Sequence, residues 1–264
     1  MTFGDKIATV RKAQGLTQEE LAELVGVSVE DVSMWENNKL SPMPDKLTRL
    51  EEALHLNWYD EKGAMLKGRI FDEEFMSAFL KWKFASGLFP EAQKALPFAE
   101  EKHRDTKHRK GPGEVPYISH PLTLTCHALA MGLEDDVLLA ALLLHDVTED
   151  CGIPPAEMPV CREVQEIVAL VSKPEKKDYV AWKYFDGIAE NPKACMVKCI
   201  DRCHNLSTMA VAFKPNKMIE YIQETETWYP RLLMIIKRQP EYRNAAWLLT
   251  YQIGSVLQTA KSFL

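Results

Sequence analysis

The chain has 264 residues, is 46% apolar and 27% charged, and carries a net charge of −6. That balance is globular, with enough apolar residues for a sizeable core in one large domain or two unequal ones. No apolar stretch reaches the roughly 18 residues that span a bilayer, and the first fifteen residues lack the apolar block of a secretory signal, so we expect a soluble, cytoplasmic protein.

The six cysteines (Cys126, Cys151, Cys161, Cys195, Cys199 and Cys203) include no CxxC pair, which excludes a zinc ribbon or a thioredoxin-like motif. Cys195, Cys199 and Cys203 recur at helical spacing and read as buried packing. The charge is uneven. Residues 1–66 hold 7 Lys and Arg against 12 Asp and Glu, so five of the six excess negative charges lie in the first quarter of the chain.

Residues 5–56 read as a bundle of short helices. Thr17 can cap LTQEELAELV, with Glu20 completing a capping box, and Gly26 can end that helix. Ser28 can cap VEDVSMWENN, SPMP breaks the chain at 41–44, and DKLTRLEEALHL follows with Leu47, Leu50, Leu54 and Leu56 near one face. Helix, tight turn and helix over 17–37 is a helix-turn-helix arrangement. LTQEELAELVGVSVEDVSMWENNKLSP resembles the repressor-type helix-turn-helix of the Xre/Cro family. The resemblance implies DNA as a partner through residues 17–39, with Ser28, Ser33, Asn37, Asn38 and Lys39 as the contacting side chains. Glu30 and Asp31 at the start of the second helix, and the local charge, oppose phosphate binding; a protein-binding module is the alternative.

After a connector at 57–71, the rest of the chain reads as helical, giving an all-α fold with a helix-turn-helix bundle over 1–66 and a helical domain over 67–264. FDEEFMSAFLKWKFASG and EAQKALPFAEEKHR are helical in composition, and KHRKGPGEVPYIS is a loop. Helices are expected at about 121–131, 135–150, 160–172, 178–190, 192–211, 215–236 and 241–262.

The chemistry concentrates at LLLHDVTED, 142–150. On one continuous helix, with His145 at zero, Glu149 falls at about 40°, Asp146 at about 100° and Asp150 at about 140°. Four ionisable groups beside the all-round apolar VLLAALLL are costly to bury unless paired or bound to a cation. Imidazole with carboxylate suits a divalent transition metal better than calcium. His120, before Pro121 at an expected helix start, could join them. So could Asp201 in DRCHNLST, which shares a face with Asn205 and Thr208, opposite the cysteine stripe.

His120, His145–Asp146 and Asp201 together resemble the HD superfamily of metal-dependent phosphohydrolases. RKGPGEVPYISHP (109–121), ALLLHDVTED (141–150) and VKCIDRCHNLSTM (197–209) narrow this to the hydrolase domain of the RelA/SpoT family, over roughly 75–235, and YIQETETWYPRLL resembles the helix after its third motif. The resemblance implies removal of the 3′-pyrophosphate from the guanosine alarmones ppGpp and pppGpp with Mn2+ or another divalent metal. It implies His120, His145, Asp146 and Asp201 as metal ligands and Glu149 and Asp150 as the groups that handle water. It also implies Arg109 stacked on guanine with Lys110 nearby, Asn205 and Thr208 lining the nucleoside pocket, and Arg202 beside the ligand. The 109–121 loop is two residues longer than the bacterial RKSGEPYIxHP pattern and closer to the animal small hydrolases. Those also resemble enzymes that take the 2′-phosphate from NADPH, so another nucleotide is the alternative substrate. A non-catalytic regulator that senses a nucleotide is the further alternative, which the Glu149–Asp150 pair argues against. Nothing resembles the alarmone synthetase domain, and no alarmone synthesis is expected.

Overall fold

The computed structural model describes residues 3–55, 72–85, 87–104 and 115–264. Every regular element among the described residues is helical, as the sequence leads one to expect. They fall into two compact units, Met1–Gly87 and Leu88–Leu264. The expected boundary after residue 66 falls within 56–71, outside the described residues.

The first unit comprises α1 (Phe3–Ala13), α2 (Gln18–Val25), α3 (Val29–Glu36), α4 (Pro44–Leu54) and α5 (Glu73–Phe84). Both expected capping boxes are present: Thr17 with Glu20 opens α2, and Ser28 with Asp31 opens α3. Each satisfies two backbone N–H groups that a helix start leaves unpaired. Gly26 ends α2 in the left-handed region at φ 73°, where a Cβ would be strained. Ile7, Leu21, Val25, Val32, Trp35, Leu47, Leu50 and Leu54 form the core of this unit; Leu56 lies outside the described residues. Helices α1 and α3 meet at Gly4, where a Cβ would come within 2.4 Å of the Trp35 carbonyl oxygen. Arg11, almost fully buried, donates to both oxygens of Glu36 and to the Leu16 carbonyl, tying α1 to α3 and to the turn before α2.

In the second unit the helices are α6 (Pro90–Lys102), α7 (Ser119–Ala130), α8 (Asp136–Leu144), α9 (Val147–Cys151), α10 (Arg162–Val171), α11 (Ala181–Ala189), α12 (Pro192–Ala212), α13 (Pro215–Lys237) and α14 (Arg243–Phe263). Its centre is α8. Leu138 through Leu144 have no accessible surface, because α6, α7, α10 and α12 pack around this one helix. A helix apolar on every side can only be stable inside such a cage. Helix α12 in turn packs on α7, α10, α11, α13 and α14, with Cys195, Cys199 and Cys203 buried as free thiols.

One expectation fails. The single helix foreseen over 135–150 is two helices, interrupted at His145–Asp146. The carbonyl of Leu142, which an unbroken helix would offer to residue 146, accepts the His145 Nδ1–H at 2.9 Å, so a side-chain donor stands where the ladder stops. Asp146 then serves as the N-cap position of the short α9, and the Asp150 N–H donates to its carbonyl. The angular argument for residues 145–150 does not survive this break, although the residues still cluster.

Two aspartates at the start of α8 cap different helices. Asp135 caps α8 itself through the Leu138 N–H, whereas the Asp136 carboxylate reaches across to accept the Glu91 and Ala92 N–H groups at the start of α6. A carboxylate at a helix N-terminus satisfies unpaired donors and meets the positive end of the helix dipole. Asp136→Ala is therefore expected to destabilise the protein by about 1–2 kcal/mol, measured by urea unfolding, with Asp136→Asn losing less because it keeps an acceptor.

Candidate metal centre

Three helix ends and one helix face deliver the polar cluster. His120 is the second residue of α7, which starts at Ser119, so the histidine stands at a helix start as expected. His145 and Asp146 occupy the break after α8, and Asp201 lies mid-way along α12. The donor atoms of His120, His145 and Asp201 lie within 4.8 Å of one another, and all three residues are buried. His120 Nε2 is 3.2 Å from Asp201 Oδ1 and 3.5 Å from Asp146 Oδ2; His145 Nε2 is 3.0 Å from Asp146 Oδ2.

This donor set fits a divalent cation. His145 Nδ1 faces a carbonyl and so must carry the ring proton, which leaves Nε2 as the lone-pair nitrogen of the neutral ring. That Nε2 is buried and meets no hydrogen-bond partner of acceptable geometry. Two imidazoles and two carboxylates converging at this range form a nitrogen and oxygen set of the kind that binds transition metals.

Neighbours hold the cluster, and of these the sequence reading singled out Asn205 alone. The Tyr117 hydroxyl donates to Asp146 Oδ2 at 2.6 Å. Lys198, buried one turn before Asp201, sits 3.2 Å from Asp201 Oδ2, and the Asn205 amide donates to Asp201 Oδ1. His204 Nδ1 faces His120 Nδ1 at 2.9 Å. Tyr117 could have been found as the only hydroxyl of the PYISHP stretch able to reach so far. Lys198 and His204 stand three residues to either side of Asp201, on neighbouring positions of the same helix face.

The electrostatics follow from this packing. Burial opposes charge on Asp201, but Lys198 and the two histidines outweigh it and hold its carboxyl well below the usual range. Burial likewise opposes the charged His145 ring, but Asp146 and Asp201 raise it to about 9. Tyr117 is pushed up by burial and then by Asp146, so it stays a donor. On α9, desolvation raises the Glu149 carboxyl, only partly offset by the Lys173 N–H that donates to Oε1 at 2.7 Å. Asp150 is exposed on α9.

The remaining expected site residues are placed unevenly. Asn205 and Thr208 are half-buried on the Asp201 side of α12, and the Thr208 hydroxyl turns back to the His204 carbonyl. Arg202 does not open towards a ligand. It is 2% exposed, lies 3.6 Å from the Tyr221 ring centre, and donates to Glu224, Thr225 and the Tyr221 carbonyl. Its guanidinium locks α12 to α13. Arg109 and Lys110 lie outside the described residues. In the first unit, the Ser28 side chain is engaged with Asp31, the Asn37 amide donates to the Ser33 carbonyl, and Asn38 Oδ1 accepts the Gly4 N–H. Ser33 is half-buried and Lys39 is exposed.

Residues 7–59 match the helix-turn-helix family. Over 150 residues, 54% of this chain, it is 32% identical to a guanosine-3′,5′-bis(diphosphate) 3′-pyrophosphohydrolase of Aquifex aeolicus, covering 21% of that protein. It is 31% identical over 150 residues to a GTP pyrophosphokinase rsh of Brucella melitensis, covering 53% of this chain and 19% of the relative. Over these stretches the chain is similar to proteins of the RelA/SpoT type. It spans about a fifth of the length of these curated relatives. Among solved structures, a chain described as a metazoan ortholog of SpoT that hydrolyzes ppGpp aligns with a TM-score of 0.49 at 20% identity, covering 64% of this chain and 95% of that one. No helix among the described residues is long and apolar enough to cross a membrane.

The raised His145 ring gives the metal-free protein a defined pH dependence. Its contribution to stability is fully present below the unfolded value of about 6.5 and is lost as pH rises through about 9. The urea midpoint of metal-free protein should therefore fall between those two values. Adding a divalent metal should reverse the trend, because ligation requires the neutral ring and strengthens as protons leave.

Proposed function

We propose that the chain is a metal-dependent phosphohydrolase that removes the 3′-pyrophosphate from the guanosine alarmones ppGpp and pppGpp, with Mn2+ as its ion. The observation that carries this reading is the convergence of buried His120, His145 and Asp201 with half-buried Asp146 at the end of α8. The similarity to RelA/SpoT-type proteins over more than half the chain supports the choice of substrate.

These four side chains would hold the ion, and no thiolate lies in the donor set, which favours a hard or borderline metal such as manganese. Such an ion lowers the pKa of water and polarises a phosphoryl oxygen. The protein's own groups supply the rest. Glu149, whose carboxyl is raised by desolvation, is suited to take a proton from water and return it to the leaving group. Asp150 follows it on α9 and is exposed. Tyr117 and Lys198 fix the two aspartates, so their carboxylates do not swing away when the ligand arrives. Asn205 and Thr208 border the space for the nucleoside, with Arg109 stacking on the base and Lys110 beside it. Arg202 contributes by holding α12 rather than by touching substrate.

The first unit supports a DNA-docking role through its fold, but its chemistry makes any such contact weak. Acidic residues head the second helix of the motif, and Ser28, Asn37 and Asn38 are occupied with backbone groups. Of the side chains proposed for contact, exposed Lys39 alone can neutralise a phosphate.

Purified protein with Mn2+ is expected to release pyrophosphate from ppGpp. Asp146→Ala should abolish turnover, and Glu149→Gln should lower kcat by about 10²–10⁴-fold while leaving metal affinity near that of the wild type. A nucleotide panel including NADPH and nucleoside monophosphates checks the substrate; intact ppGpp beside a cleaved alternative reassigns it. In gel-shift titrations at low salt, the full chain is expected to shift the DNA upstream of its own gene only weakly; no shift at any concentration assigns the first unit to protein contacts.

A further inference from the structure

Behind the expected ligand His120 stands a second histidine, His204. Their Nδ1 atoms are 2.9 Å apart and their ring centres 4.8 Å apart, with the planes tilted by 38°. Two ring nitrogens at that separation must share one proton: one donates and the other accepts. The other nitrogen of His120, Nε2, points at Asp201 and Asp146.

We propose that His204 is a positioning residue that sets the tautomer and orientation of His120 for metal binding; the inference rests on the metal-site reading above. For His120 Nε2 to offer a lone pair to a cation, the ring proton must reside on Nδ1. A proton there needs an acceptor, and the His204 Nδ1 lone pair is that acceptor. His145 uses the Leu142 carbonyl for the same purpose. The two ligand histidines thus have different supports: one leans on backbone, the other on a neutral side chain that can itself be changed by substitution. Both rings are held in place as well. His120 packs edge-on against Tyr117 and His145, and Thr208 anchors the backbone of His204 through its carbonyl. Partners that orient a metal-ligating histidine contribute about 10–100-fold to metal affinity.

The test is metal affinity rather than turnover. Mn2+ binding to the full chain is measured by the loss of the free-ion paramagnetic resonance signal, for wild type, His204→Ala and His204→Asn. The Asn side chain can place its carbonyl oxygen near the Nδ1 position. His204→Ala is expected to weaken Mn2+ binding about 10–100-fold with an unchanged melting temperature for the metal-free protein, and His204→Asn to recover most of the loss. Equal affinity in wild type and His204→Ala, or no recovery in a folded His204→Asn, overturns the proposal. Should His204→Ala fail to fold, imidazole nitrogen spectra of Zn2+-loaded wild type decide. A proton on His120 Nδ1 supports the assignment and a proton on Nε2 overturns it. Because no nucleotide is present, failure to cleave ppGpp leaves this outcome intact, and a wild type that binds neither ion overturns both readings.

Discussion

Everything in the second unit answers to one constraint: ionisable groups are buried against the end of a helix that has no polar side. Removing a carboxylate from water costs several kcal/mol even after the surroundings relax. Asp201 and Asp146 are tolerable there only because each is met from several directions. Lys198 and the Asn205 amide meet the first, while Tyr117 and the two histidine rings meet the second. The partners come from α12, from α7 and the segment before it, and from the break after α8. The packing of these elements is thus a condition of the electrostatics as much as a product of apolar burial. The same cluster that is marginal without a cation becomes well satisfied with one, which links folding to metal loading.

The first unit obeys a different economy. Its helices are 8 to 12 residues long, too short to persist alone. They are held by reciprocal caps, an apolar centre and the Arg11–Glu36 pair. Polar side chains that a DNA-reading surface would present, such as Ser28 and Asn38, are engaged in closing helix starts and in fastening α1. The acidic excess of the segment therefore sits on a fold that uses its neutral polar groups internally.

What could be read from the sequence was what depends on local rules. Thr17, Gly26 and Ser28 have their conformational roles written into side-chain chemistry, and the apolar run 138–144 could only be an interior helix. The histidines and aspartates were legible because the pairing of such groups with apolar neighbours is itself unusual. Less visible was anything decided by competition between side chain and backbone. The interruption at His145 depends on a ring nitrogen reaching the Leu142 carbonyl, and helical periodicity has no way to register that. Arg202 was expected beside the ligand because the family resemblance implied it. One step along a helix is about 100° of rotation, which turned it into Tyr221 and Glu224 on α13 instead. Tyr117 and His204 escaped because their partners lie 29 and 84 residues away.

The enclosure of α8 has one more implication, for what the chain can tolerate over evolutionary time. A helix with a wet side can gain or lose a residue and slide, as α14 could along its exposed face. Helix α8 has nowhere to slide. One residue added to LLAALLL would advance everything after it by about 1.5 Å and rotate it by about 100°, carrying His145 out of register with His120 and Asp201. The apolar run therefore acts as a ruler: its length is specified by the polar cluster at its end, while the identity of each leucine is specified only by volume.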